Sequence, residues 1–238
     1  EEATVSIKNV VAKSQLLNGK KTRNFHAKTH AGLMGSFKLD IKDELLSSLN
    51  PFPTGNLEVL ARFSNAETKI VPDKLAMPAY GMSLKISDSS GFEANFPMVN
   101  FPVFITNSVS DLLKVVIAIN DLTLKDLENE SKILTGLDLV KNVAATMLHT
   151  GIFPLGDALK NGFKMKKDFV LNFAYHSIGC YRFGDAICKF RLLPLKNFKI
   201  ENPEEITQQD CLKKTLAEEE VIFDLQVQIC KDIEKQPI

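Results

Sequence analysis

Apolar positions along this chain follow two different periods in turn. Residues 1 to 21 carry Val5, Ile7, Val10, Val11, Leu16 and Leu17 among polar neighbours, which predicts one amphipathic helix stopped by Asn18-Gly19. The stretch Thr22 to Phe37, TRNFHAKTHAGLMGSF, is a poor helix former, with Gly32 and Gly35 three apart and a β-branched Thr29. It predicts an extended segment entering a strand, with the glycines marking close backbone approach or a bulge. On such a segment His26, Lys28 and His30 share one face and Phe25 and Ala27 the other. A short helix follows at Asp43 to Leu49, then a loop at Pro51 to Gly55. Leu57 to Ser64 and Met82 to Ile86 alternate as strands, joined by the proline-bearing connection Val71 to Ala79. Asp88-Ser89-Ser90-Gly91 predicts a turn into Phe96 to Ile105, whose two prolines restrict pairing to an edge or an irregular stretch.

At Ser110 the period becomes helical. Ser110 reads as the N-cap of Asp111 to Asn120, Thr123 as the cap of a second helix from Leu124 to Thr135, and Leu137 to His149 as a third. Strand patterning returns at Phe169 to His176, Ala186 to Pro194 and Val221 to Ile229, with Gly179 and Gly184-Asp185 as turns. Asn202 to Glu220 reads as one more helix, with Pro203 at an N1-like site. Strands interrupted by a helical block, without regular β-α alternation, predict an α+β fold.

Composition narrows the function classes. Lys plus Arg and Asp plus Glu are both 29, so no global field favours nucleic acid or an anionic membrane. Apolar runs such as Leu112 to Ile119 fall far short of the roughly 18 residues a span needs, so a soluble chain is expected. Cys180, Cys188, Cys211 and Cys230 lack C-x-x-C spacing, which predicts reduced thiols. The chain opens at Glu1 without a charged-then-apolar leader pattern, and its compartment stays open, cytoplasmic or periplasmic.

The candidate chemistry centres on His26 and His30. Four apart, the pair could ligate a metal on a helix, but the run is a poor helix and the remaining histidines, His149 and His176, stand in unrelated contexts. A buried histidine satisfied by backbone is the plainer reading of His26, and His30, His149 and His176 read as structural.

The run F-H-A-K-x-H-x-G-x-x-G-x-F, with Arg23 three residues before His26, resembles the opening segment of the catalase-like heme proteins, particularly their small, catalase-related peroxidase forms. Further stretches resemble the family in the same order. They are Ala61 to Ile86 with its Arg-Phe-Ser strand, Phe96 to Ile105 with Asn-x-Pro-Val-Phe, Tyr181 to Pro194 as a central barrel strand, and Val221 to Ile238 as the last one. The resemblance implies an antiparallel β-barrel with helical segments packed outside, an N-terminal arm over residues 1–21, and one domain over 22–238 with a helical insertion about 110–160. It implies heme as cofactor and hydrogen peroxide or an organic peroxide as substrate, with an organic co-substrate and a homodimer as the assembly to test.

The same resemblance assigns roles. His26 matches the distal acid-base group, which moves a proton between the two peroxide oxygens, and Ser64 matches the hydroxyl that fixes its ring. Asn100 matches the amide that orients the peroxide, although larger members place two asparagines where this chain has Val99 and Asn100. Arg23 and Arg62 match the arginines that hold the propionates. The family's proximal ligand is a tyrosine on a late helix; Tyr80, Tyr175 and Tyr181 all precede the last strand, so the metal ligand is left unassigned. The alternative function is a heme-free catalase-like barrel serving as a ligand-binding or interaction module.

Overall fold

A computed structural model describes residues 1–19, 21–102, 108–128, 167–200 and 206–232. The chain divides into two compact units. One comprises Glu1–Lys28, Ser64–Ala79 and Val103–Lys167; the other comprises Thr29–Phe63, Tyr80–Pro102 and Asp168–Ile238.

The second unit is built on an eight-stranded antiparallel sheet. Its strands are β1 (Thr29–Phe37), β2 (Leu57–Asn65), β3 (Tyr80–Ser87), β4 (Glu93–Val99), β5 (Tyr175–Ser177), β6 (Tyr181–Phe183), β7 (Ala186–Pro194) and β8 (Phe223–Ile229). They run in the order β1-β2-β3-β4-β5-β7-β6, with β8 paired to β7. The β3–β4 hairpin forms because the Asp88 carboxylate accepts from the N–H groups of Ser90 and Phe92, at 2.8 and 2.9 Å, while Gly91 takes a φ of 101°.

The expected closed barrel does not form. Three strands meet at β7. Tyr181 and Ile229 both pair with Cys188, and Tyr175 and Leu225 both pair with Leu192, so β5 and β6 share one edge of β7 while β8 takes the other. Eight strands therefore fill seven positions, and among the described residues no ladder joins β8 to β1. β4 corrects a second expectation, since it lies inside the sheet despite Pro97. β5 pairs only with Met98 and Val99, so the missing N–H falls beyond that ladder, and the Pro97 carbonyl still accepts from Ile178 at 3.2 Å.

Alternate positions on the strands supply the core: Met82, Leu84 and Ile86 on β3, Phe96 and Met98 on β4, Cys188, Phe190 and Leu192 on β7. Phe52 enters from a loop. Asn50 holds the loop by accepting from the Phe52 N–H and donating to its carbonyl, at 3.2 and 2.9 Å, and the ring meets Phe92, Phe96 and Phe183. Each such ring contributes roughly 1.5–3 kcal/mol on burial.

The expected strand Phe169 to His176 is split. Phe169, Val170 and Leu171 are all buried in succession, which a half-exposed strand cannot do, and Val170–Asn172 is a 3₁₀ turn ahead of β5. Two helices belong to this unit: α2 (Glu44–Leu49), capped by Asp43, and the helix Gln208–Glu218, capped by Thr207 and packed against β1.

In the first unit α1 (Glu2–Asn18) ends at Gly19 in the left-handed conformation, as the sequence indicates, and packs against α3 (Val109–Glu128). Their buried contact includes the Asn120 amide donating to Ser6 Oγ at 3.0 Å. The expected break at Thr123 is absent: α3 runs through it, because the hydroxyl donates back to the Ile119 carbonyl at 2.8 Å and meets Thr68 Oγ1 at 2.7 Å. Ser108, not Ser110, accepts from the first-turn N–H of Asp111. The helices expected beyond Glu128, and the first residues of the one expected from Asn202, lie outside the described residues. No described helix is long and apolar enough to cross a membrane.

Candidate functional site

The chain reaches His26 through a bend rather than the extended run that the sequence predicts. His26 has φ 56°, the one positive φ at a described residue other than glycine. That conformation costs an L-residue roughly 1–2 kcal/mol, so neighbouring contacts must impose it. The Ala27 N–H donates to the Glu67 carbonyl at 3.0 Å, and Lys28 Nζ reaches Asp73 Oδ1 at 2.6 Å and the Val71 carbonyl at 3.1 Å. Both residues after His26 are thereby fastened to the Ser64–Ala79 segment.

The same segment presents Ser64, whose Oγ lies 3.0 Å from His26 Nδ1. Ser64 is the last residue but one of β2 and is 2% exposed, so the imidazole is held by a buried hydroxyl across 38 residues of sequence. Two bonds anchor the segment. Glu67, also buried, accepts from the Met77 N–H at 2.8 Å, and the Ala66 N–H donates to the Ala79 carbonyl at 2.9 Å. Burial raises the Glu67 carboxyl above its usual range, against the lowering effect of the Met77 bond and of Lys69 and Lys167.

Asn65, next along β2, is 0% exposed, and among the described residues neither atom of its amide has a partner; the buried amide atoms of Asn24, two residues before His26, likewise have none there. Buried amides in that state cost about 1–3 kcal/mol each unless something bonds to them. Sequence reading missed Asn65. Its signal is a polar residue at the end of the core-facing series Leu57, Ala61, Phe63. Glu67 and Asn24 carry no such signal.

The remaining predicted residues are placed as follows. Arg23 precedes the His26 bend in the first unit. Arg62, in the sheet unit, donates from Nε to Thr29 Oγ1 at 3.0 Å. Asn100, also in the sheet unit, extends the β3–β4 ladder: its Oδ1 accepts from the Tyr80 N–H at 2.8 Å and its own N–H donates to the Tyr80 carbonyl at 3.1 Å. Val99 is buried and pairs with Gly81 and His176. The structure thus joins His26 to Ser64 directly. His30 is buried on β1 beside Tyr80, with ring centroids 6.3 Å apart. Among the described residues nothing lies within 4 Å of where a Cβ on Gly32 or Gly35 would stand, so no close approach there accounts for them.

Tyr80 and Tyr175 are buried core residues of the sheet unit, and Tyr181 is half-buried against that core. Tyr175 is fully buried, its hydroxyl donating to the Val170 carbonyl at 2.7 Å, and burial, with Tyr80 nearby, raises its pKa well above the usual value. Tyr80 stacks on Phe173, and Tyr181 packs against Phe96 and Phe190. Two of the concavities on the sheet unit are lined by described residues other than His26 and Ser64.

No protein-family model matches the chain, and no curated protein does. Solved structures do. A fungal catalase superposes with a TM-score of 0.66 at 17% identity, over 97% of this chain and 48% of its own. Catalase A from Saccharomyces cerevisiae superposes with a TM-score of 0.56 at 16% identity, over 97% and 50%. The chain spans about half the length of these structures. At such identities the likeness establishes the fold: an α+β chain of the catalase-like class.

Proposed function

We propose that the chain is a heme-dependent oxidoreductase acting on hydrogen peroxide or organic peroxides, with His26 as its acid-base group. The observation that carries this reading is the 3.0 Å contact between His26 Nδ1 and Ser64 Oγ, at a histidine held in a strained conformation. Strain of this kind persists where the surroundings over-determine it, as at functional sites. The contact positions the ring, and in the tautomer whose Nδ1–H donates to Ser64 Oγ, Nε2 is the nitrogen that takes a proton from one peroxide oxygen and returns it to the other. Ser64 is then a positioning residue. Asn100 is the proposed amide that orients the peroxide. Arg23 and Arg62 are the proposed propionate partners.

The residues on the His26 side fit a bound prosthetic group, since the unpaired amides of Asn24 and Asn65 are of the kind a ligand or its ordered water satisfies. Heme, when bound, supplies the iron at which the O–O bond is broken. A second reading is a heme-free catalase-like module, in which Tyr80 and Tyr175 serve as core residues. A heme titration followed by visible absorbance separates the two. The first reading expects a saturable Soret band shifted from free heme; a protein that stays colourless overturns it in favour of the module.

A further inference from the structure

The segment Ser64–Ala79 holds His26 at two places, its ring and the chain that follows it. Ser64 Oγ meets the imidazole, and the Glu67 carbonyl accepts from the Ala27 N–H. That second bond fixes the plane of the peptide joining His26 to Ala27, and with it the ψ of a residue whose φ is already 56°. Lys28 adds a further hold. Its ammonium spends one donor on the Val71 carbonyl, at 3.1 Å, and another on Asp73 Oδ1, at 2.6 Å, across 43 and 45 residues of sequence.

The run Val71-Pro72-Asp73 builds a firm receiver for that ammonium. Proline fixes its own φ and keeps the residue before it out of the helical region, so Val71 and Pro72 have little backbone freedom. The Pro72 carbonyl accepts from the N–H groups of Leu75 and Ala76, at 2.9 and 3.1 Å, closing the turn that carries Asp73. Lys167 Nζ donates to the Lys74 carbonyl of the same turn. The Lys28 and Asp73 side chains are 24% and 17% exposed, where those of Lys85 and Glu93, also paired at 2.6 Å, are 40% and 48%. Salt and water therefore screen the Lys28–Asp73 pair less. A charge-assisted bond onto a closed turn is also a stronger tie than the neutral Ala27–Glu67 bond beside it.

We propose that Lys28 and Asp73 are a positioning pair for proton transfer, which keeps His26 in its left-handed conformation and thereby keeps the imidazole on Ser64 Oγ. This rests on the acid-base role proposed for His26. Without the pair the His26 backbone relaxes toward negative φ, where L-residues are stable, and the ring turns off Ser64. A misplacement of about 1 Å in a reacting group is enough to cost roughly 100-fold in rate.

Hydrogen exchange of the Ala27 amide in the full chain without added heme, and the rate of peroxide consumption per bound heme, test this on the same variants. Lys28→Met keeps the apolar stem and removes the donors. It should speed Ala27 exchange by roughly 10-fold or more, leave the β7 amides as in the wild type, and lower the rate per heme by roughly 10- to 100-fold. Asp73→Asn, which removes the charge from the other side, should move both readouts in the same direction, and Lys28→Arg should keep both within about 3-fold of the wild type. In a His26→Ala background Lys28→Met should change the rate by less than about 2-fold, because its effect passes through His26. A wild-type rate or an unchanged Ala27 amide in Lys28→Met, or a further loss of rate in the His26→Ala background, would overturn the positioning role. A wild type that binds heme but consumes no peroxide would instead overturn the acid-base reading, and faster Ala27 exchange in Lys28→Met would still mark the pair as what holds the bend.

Discussion

His26 and Glu67 show how much of the candidate site is settled by single side chains. The strained His26 backbone is held by bonds from Ala27 and Lys28 to the Ser64–Ala79 segment, and Glu67 anchors that segment from a buried position. Because burial raises the folded-state carboxyl pKa above its unfolded value, the stability this shift contributes is fully present below the ordinary carboxylate range near 4.5 and is lost as pH rises through the folded pKa. Glu67→Gln keeps an oxygen for the Met77 N–H and removes the ionisation. Its thermal midpoint should therefore exceed that of the wild type at pH 7 to 8, with the difference closing by pH 4. A variant less stable than wild type at pH 8 would show that the charged form is the one the fold prefers. His26 and Ser64 were legible because family-like motifs flank both. Their contact was implied only by that resemblance, and the left-handed turn at His26 carries no local signal, since a histidine in that region is placed by tertiary bonds.

Among the elements, those with long uniform periods were legible and those set by tertiary context were not. β7 runs from Ala186 to Pro194 as its alternation indicates, and α1 ends at Gly19 as its stop signal indicates. β5 and β6, three residues each, are too short to carry a period, and both pair with one edge of β7. Thr123 looks like a cap in sequence, but its hydroxyl bonds backward within α3. The β6–β7 turn carries a sharper test. Gly184 has φ 59°, and a Cβ built on it would lie 2.6 Å from the Leu49 carbonyl oxygen at the end of α2. Since backbone has to move, Gly184→Ala should cost on the order of 1–3 kcal/mol in chemical denaturation with an unchanged m-value. A loss under about 0.5 kcal/mol would mean that the α2–turn approach is not maintained in solution.

At the scale of the whole molecule, the catalase-like fold and the His26–Ser64 pair are separate findings, and a fold alone does not confer an activity. What would unite them is proton transfer by His26 during peroxide cleavage. The measurement that tests this most directly is the rate of peroxide consumption per bound heme in the wild type and in His26→Ala, with absorbance and thermal midpoint read on the same samples. If His26 is the acid-base group, the variant should take up heme as the wild type does, while the rate falls by roughly 10²- to 10⁴-fold. A variant with a lowered midpoint and an unchanged rate per heme would contradict the account and leave His26 as a hydrogen-bonded structural residue.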